Sequence, residues 1–323
     1  MPCYRPWLGL PQDENENGKR PLSLVAPWNP DNSSLFPDAV RVPCGKCIGC
    51  RLDQSRQWAD RMMLELDNTG KGIFLTLTYN NDHVPEPEDY EGRGIYTLQK
   101  SDLQKFFKRL RKRYSDREIR FYACGEYGST TYRPHYHAIV FGLSLDDFPE
   151  ENKFFVGKND LGDPYYNVKE IQDTWSIKGD QIGFVCVSEV SWKTCAYVAR
   201  YVQKKVLGSH ELFYEAYGLE KEFSLMSRRP GIGAYYLKKH PDLFDLSNLY
   251  TKGNPNPISI PKYFLQKLSL TDPVKYDKLC NERKQFASDA SLLKMQQTEL
   301  EFCEQCVLEE RLHSSKAKNL KRL

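Results

Sequence analysis

Apolar positions between Arg51 and Asp67 (Leu52, Ala59, Met62, Met63 and Leu66) fall on one side of a predicted helix. The pattern then changes. Ile73 to Tyr79 alternates and is rich in Leu, Thr and Phe, the mark of a strand. Asn80 to Gly94 carries Pro, Asp and Gly and reads as a loop. Ser101 and Gln104 have the spacing of a capping box. They open a second helix with Leu103, Phe106, Phe107 and Leu110 on one face. Strands are predicted at Ile119–Gly125 and Tyr136–Leu143, joined by a hairpin loop over Gly128–Pro134. Asn167–Ser176 reads as a short helix, Ile182–Glu189 as a strand and Ser191–Val206 as a helix. Trp192, Cys195, Ala196, Ala199 and Val202 form much of the apolar side of that last helix.

Residues 1–43 show no sustained period and read as an irregular arm. After Leu207 the pattern weakens, and from Tyr263 onward it is mostly helical. The central succession predicts an α+β fold, an antiparallel sheet with helices on one face. Three parts are expected along the chain: 1–50, an arm with a cysteine knuckle; 51–207, the main domain; and 208–323, a mostly helical region with no assigned role.

Composition narrows the class. The 323 residues hold 46 Lys+Arg against 43 Asp+Glu, a net charge of +3, with 40% hydrophobic residues. That excludes a disordered tail and a histone-like polycation. There is no apolar run of about 18 residues, so no membrane span is expected. The first residues lack the apolar stretch of a signal peptide. Basic charge is instead local. Lys105, Lys108, Arg109, Arg111, Lys112 and Arg113 make up six of nine consecutive residues, either as a solvated helix face or as a phosphate-contacting surface.

Candidate chemistry concentrates between Cys124 and Gly142. On a strand His135 and His137 point the same way and Tyr136 the opposite way. A hairpin centred between Thr130 and Thr131 pairs Glu126 with His135; a slip of one residue would turn the carboxylate to the other face. Two imidazoles and a carboxylate leave coordination positions open and suit Mg²⁺ or Mn²⁺. The plainer reading is a pair of ordinary strand histidines. Tyr197 and Tyr201, four residues apart, share a helix face with Lys204; the plainer reading there is core packing. Cys44, Cys47 and Cys50 have C-x2-C-x2-C spacing, which suits thiolate ligation of a structural Zn²⁺. Cys3 could complete the set, and so could a residue far along the chain, including Cys303 or Cys306. An iron–sulfur cluster and unligated thiols are the alternatives, and Cys303 with Cys306 reads more simply as packing.

Together these segments resemble the HUH endonucleases, with His135-Tyr136-His137 as the motif. Tyrosine occupies a slot that usually holds a bulky hydrophobic residue. Phe74 to Tyr79 resembles the first strand motif of rolling-circle initiators, and Tyr197 with Tyr201 resembles the paired nucleophiles of the two-tyrosine class. Val42–Arg51, Gly125–Gly128, Arg133–His137 and Ser227–Gly233 are similar to the replication initiators of gokushovirus-like microviruses, so that the likeness covers roughly residues 42–235. The resemblance implies an RRM/ferredoxin-like sheet and a metal at Glu126, His135 and His137. It also implies nicking of a single-stranded DNA phage origin through a 5′-phosphotyrosine, followed by rejoining of the product circle. Lys204 would stand beside the phosphate, with Arg133 and the basic helix face as DNA contacts. Origin DNA, host helicase and polymerase are the implied partners, in the host cell cytoplasm. A single-strand transposase or relaxase is the related alternative, although such transposases generally use one tyrosine. A non-enzymatic RNA-recognition-like module would instead stack bases on Phe121 or Tyr122, with Phe141.

Overall fold

The alternating run beginning at Ile73 becomes the middle strand of a seven-stranded antiparallel sheet. The computed structural model describes residues 3–16, 20–128, 130–159, 162–201, 209–246 and 248–318. The chain forms β1 (Trp7–Pro11), β2 (Leu22–Pro27), α1 (Pro30–Leu35), β3 (Val40–Val42), α2 (Ile48–Thr69), β4 (Gly72–Thr78), α3 (Lys100–Arg113), β5 (Arg120–Tyr127) and β6 (Pro134–Phe141). There follow β7 (Lys153–Lys158), β8 (Pro164–Val168), α4 (Lys169–Thr174), β9 (Ser176–Ile177), β10 (Asp180–Gln181), β11 (Val185–Glu189), α5 (Trp192–Tyr201) and α6 (Ser209–Ala216). The last elements are β12 (Phe223–Met226), α7 (Ala234–Lys239), β13 (Leu249–Thr251), β14 (Asn254–Ile258), α8 (Lys262–Thr271), α9 (Pro273–Gln296) and α10 (Phe302–Lys318).

Two compact units result: Met1–Gln54 together with Leu265–Lys321, and Ser55–Phe264. The expected parts 1–50, 51–207 and 208–323 run across this division, because β12 lies at the edge of the large sheet and pairs with β5. The sheet order is β12-β5-β6-β4-β11-β8-β7. The antiparallel α+β architecture agrees with the sequence pattern, but the helices cover both faces rather than one. The reason lies in the central strands, which are apolar on both sides. Ile73, Leu75, Leu77, Ala138 and Val140 pack against Leu103, Phe106, Phe107 and Leu110 of α3 and Ile171 of α4. Phe74, Tyr122, Cys124, Ile139 and Phe141 pack against Ala59, Met62 and Met63 of α2 and Cys195, Val198 and Ala199 of α5. Each fully buried Leu or Phe contributes roughly 1.5–3 kcal/mol.

The capping box expected at Ser101 is not formed. α3 begins at Lys100 after an N-cap at Gln99 that makes no side-chain cap bond. A tyrosine takes that place: the Tyr136 hydroxyl donates to the Gln99 carbonyl at 3.0 Å and accepts from its N–H at 2.9 Å. It also lies 2.9 Å from the Tyr79 hydroxyl, which donates to Asp102. The polar tip of Tyr136 therefore has partners under α3, which explains a tyrosine in the middle of the H-x-H motif. Burial pushes both phenols well above their usual range.

In the other unit, residues 1–43 are not an irregular arm. They carry a three-stranded sheet of order β2-β1-β3. Trp7 pairs with Pro27 on one side and Val42 on the other. The strand signal at Trp7–Pro11 was too short to stand out beside the surrounding Pro and Asn. Tyr4, Cys47 and Cys306 form the buried centre of this unit, with Phe302 against them. Among the described residues no helix is long and apolar enough to cross a membrane.

Candidate active site

The hairpin of β5 and β6 has the register that brings the chemistry together. Glu126 pairs with His135, and Cys124 with His137. On the other side of β6, Thr76 pairs with His137 and Thr78 with His135. Glu126 Oε1 lies 2.8 Å from His135 Nε2 and 3.0 Å from His137 Nε2. The three donor atoms lie within 4.8 Å of one another. Burial pushes the Glu126 carboxyl up, but its bonds to His135 and His137 outweigh that and hold it below the usual range.

Neighbours orient each ring. His135 Nδ1 lies 3.1 Å from the Arg133 carbonyl, an acceptor, a contact that turns Nε2 toward Glu126. Thr76 Oγ1 stands 3.0 Å from His137 Nδ1, and Phe74 stacks on the same imidazole at 5.6 Å between centroids. Two imidazole Nε2 atoms and a carboxylate converge on one point, a donor set that fits a divalent cation in place of the hydrogen bonds now joining them.

α5 supplies the fourth element. Ser191 and Thr194 cap its start reciprocally: the Thr194 N–H donates to Ser191 Oγ at 3.2 Å, and the Ser191 N–H donates to Thr194 Oγ1 at 2.9 Å. Trp192 Nε1 donates to Asp60 at 2.7 Å, and Ser55 Oγ donates to the Ala196 carbonyl at 3.1 Å, which fastens α5 to α2. So held, the Tyr197 hydroxyl lies 3.5 Å from His137 Nε2. Phe74 meets the Tyr197 ring edge-on, and the Arg200 guanidinium lies 5.8 Å from its centre. Glu126, His137 and Tyr197 are buried, while the His135 side chain is 19% exposed and marks the open side. Tyr201 is the last residue of α5, and Lys204 lies outside the described residues.

The other predicted residues lie elsewhere. α3 covers the sheet face opposite His135, His137 and Tyr197, so its basic side is not beside this group. Three of its cations are engaged: Lys105 lies 3.6 Å from Asp102, Arg109 donates to the Thr174 carbonyl, and Arg111 donates to the Ile119 carbonyl. Lys108, Lys112 and Arg113 sit on the outer side of α3. Arg133 braces the hairpin, donating to Asn81 Oδ1 at 3.0 Å and to the carbonyls of Tyr79 and Asn80. Phe121, Tyr122 and Phe141 are buried beneath helices, which removes the open aromatic sheet face a base-stacking module needs. Phe74 and Thr76 lie in the strand motif the sequence offered but had no site role assigned there, nor had Arg200. Alternation through Thr76, once paired with His137, was the available signal for the first two.

A second group gathers in the N-terminal unit. The sulfurs of Cys3, Cys44, Cys47 and Cys50 lie within 4.8 Å of one another, so Cys3 stands with the knuckle rather than Cys303 or Cys306. Backbone N–H groups point at these sulfurs, from Cys44 to Cys3 at 3.2 Å, from Cys47 to Cys44 at 3.3 Å and from Tyr4 to Cys47 at 3.4 Å. Such donors favour thiolate: at Cys47 they outweigh burial and bring the thiol down to about 7, whereas at Cys3 burial prevails and pushes it up to about 11.

The replication-associated protein ORF2 of Spiroplasma virus 4 is 32% identical over 278 residues, 83% of this chain and 80% of that protein. The chain belongs to the phage replication-associated proteins. Family members also include the replication-associated protein VP4 of Bdellovibrio phage phiMH2K, 28% identical over 72% of this chain and 69% of its own. The replication-associated protein ORF4 of Chlamydia phage 1 is 30% identical over 60% of this chain and 46% of its own. The model of the family "Replication-associated protein ORF2/G2P" matches residues 72–206. That span holds Glu126, His135, His137, Tyr197, Tyr201 and Lys204 and leaves out Cys3, Cys44, Cys47 and Cys50. No solved structure matches.

Proposed function

We propose that the protein is an HUH-type, metal-dependent nicking and rejoining endonuclease that starts rolling-circle replication of a single-stranded DNA phage genome. The observation that carries this reading is the Tyr197 hydroxyl, 3.5 Å from His137 in the Glu126–His135–His137 group. The replication named for the relatives agrees with it.

Glu126, His135 and His137 would hold Mg²⁺ or Mn²⁺, which when bound supplies Lewis-acid polarisation of the scissile phosphate. Tyr197 is the first-choice nucleophile. Its hydroxyl oxygen bonds to phosphorus, the bond from phosphorus to the 3′ oxygen breaks, and the tyrosine proton ends on that oxygen. The products are a 5′-phosphotyrosine and a free 3′-hydroxyl for a host polymerase, with a host helicase as a further partner. Arg200, over the Tyr197 ring, favours the developing phenolate. Tyr201 is the second nucleophile, which resolves the first link on rejoining, and Lys204 the phosphate-side lysine. Arg133 positions His135 through its carbonyl, and the basic side of α3 meets flanking DNA at a distance from the cleaved bond. The four-cysteine group suits a structural Zn²⁺ with no part in cleavage.

The test is a labelled single-stranded origin oligonucleotide incubated with the protein and Mn²⁺ and run on a denaturing gel. A protein–DNA adduct is expected. Its absence with the wild-type chain would overturn the enzyme reading. An adduct that survives Tyr197→Phe and Tyr201→Phe together would overturn the tyrosine assignment.

A further inference from the structure

Six residues before Glu126, at the opposite end of β5, a cavity of about 550 Å³ is lined by Arg111, Arg117, Arg120, Arg228 and Arg229. Glu118 is the one acid among its described lining residues, and it already accepts from Tyr235 and faces Arg120. Two of the arginines are held in place. Arg120 is buried against Glu65 and donates to the carbonyls of Pro230 and Gly231 at 3.0 and 2.8 Å. Arg117 pairs with Asp147 at 2.9 Å.

The remaining guanidiniums face the cavity with donors to offer. Arg111 uses Nε on the Ile119 carbonyl and Nη2 on Ser227, and neither bond engages its Nη1. Arg228 and Arg229 are exposed and form no ion pair among the described residues. The turn that carries them is tied down from behind by Arg120 and by the bridge between Arg228 and Gly231. Two cations are thus presented on a fixed turn, which lowers the ordering cost of contact.

Clustered guanidiniums repel one another unless an anion joins them, and their planar forks match phosphate oxygens. The aromatic beside them cannot read a base: Phe121 has Phe107 stacked on it at 3.5 Å and Arg111 over its ring at 5.1 Å. A charged pocket with no free stacking surface selects a phosphodiester backbone over a nucleobase.

We propose that this cavity is a second phosphate-binding site, which grips the sugar–phosphate backbone of single-stranded DNA about 20 Å along β5 from the cleavage centre. It rests on the DNA reading of the main site but not on cleavage. Arg228 and Arg229 make the contacts, with Arg111 beside them. The site adds affinity without sequence preference and holds the strand that leads to or from the nick.

Fluorescence anisotropy without divalent metal tests binding alone, on a labelled single strand, a duplex and a salt series. Arg228→Gln with Arg229→Gln should lower the slope of log K against log salt by about 1.4 on the single strand, two contacts at about 0.7 each. Arg228→Lys with Arg229→Lys should keep most of the slope, since charge is retained. An unchanged slope in the Gln variant overturns the proposal, and so does a loss confined to duplex. Loss of inorganic phosphate binding with DNA binding intact would identify a free-phosphate site and also overturn it. If the wild-type chain forms no adduct while this slope difference holds, the nicking reading fails and the second site stands.

Discussion

The protein carries two groups of side chains whose donor atoms could hold a metal ion, built on different logic. Glu126, His135 and His137 come from adjacent strands, and the ladder aligns them. They offer nitrogen and oxygen, leave positions open and have a tyrosine hydroxyl beside them. Cys3, Cys44, Cys47 and Cys50 come from a knuckle and from a residue 41 positions before it. They offer only sulfur. With Zn–S near 2.3 Å, a tetrahedron has an S···S edge of about 3.8 Å, and the Cys3 and Cys47 sulfurs are 3.9 Å apart. An open mixed site suits exchange with substrate, and a closed thiolate site suits cohesion. In a unit whose buried apolar centre is Tyr4, Cys47 and Cys306, that cohesion matters.

The contrast breaks first at the proposed nucleophile. Tyr197→Phe keeps the ring that meets Phe74 and His137 and removes only the oxygen. Together with Tyr201→Phe it should reduce the covalent adduct by more than about 10³-fold on a denaturing gel, with an unchanged melting curve. His137→Ala comes next. It should lower cleavage on the order of 10²–10³-fold and weaken Mn²⁺ binding measured by calorimetry. The mirror experiment is Cys3→Ser. Bound zinc should fall from about one per chain, and the melting temperature should drop as part of the roughly 10–16 kcal/mol of a structural zinc is lost. Adduct formation at a temperature where both proteins stay folded should change less than about threefold. If Cys3→Ser removed cleavage with zinc retained, the division between the two groups would be wrong. A smaller effect is expected at Thr76→Val, which removes the partner of His137 Nδ1. Metal affinity should fall roughly tenfold, with the maximal rate little changed.

The two groups were also legible to different degrees. The pairing of Glu126 with His135 followed from a hairpin centred between Thr130 and Thr131, because strand periodicity leaves few registers. Cys3 could only be named as one of several fourth ligands. Its approach depends on the small sheet of β1, β2 and β3, whose short strands hardly register as a pattern. Sequence also could not say which face of the sheet α3 would cover. Its basic side was visible from Lys105 to Arg113, but Tyr136 and Asp102 anchor the helix opposite the histidines. The role of Ser227–Gly233 was hidden for a similar reason. Its fold depends on a buried pair, Arg120 with Glu65, whose partners are 55 positions apart.

The smallest effect concerns acid. The hydrogen bonds to His135 and His137 hold the Glu126 carboxyl below its ordinary 4.5 in spite of burial. A group whose folded value is depressed adds stability above its unfolded pKa, and that stability is lost as pH falls through the folded value. Glu126 therefore favours the folded sheet at neutral pH and stops doing so only below about pH 4.5. Glu126→Gln cannot titrate. Its stability should depend less steeply on pH below that point than the wild type, as followed by urea melts of metal-free protein. The cysteine group holds four thiols and no carboxylate, so Cys3→Ser should leave this acid limb as it was. An equal flattening in both variants would mean that the limb belongs to the fold at large and not to the strand pair that carries Glu126.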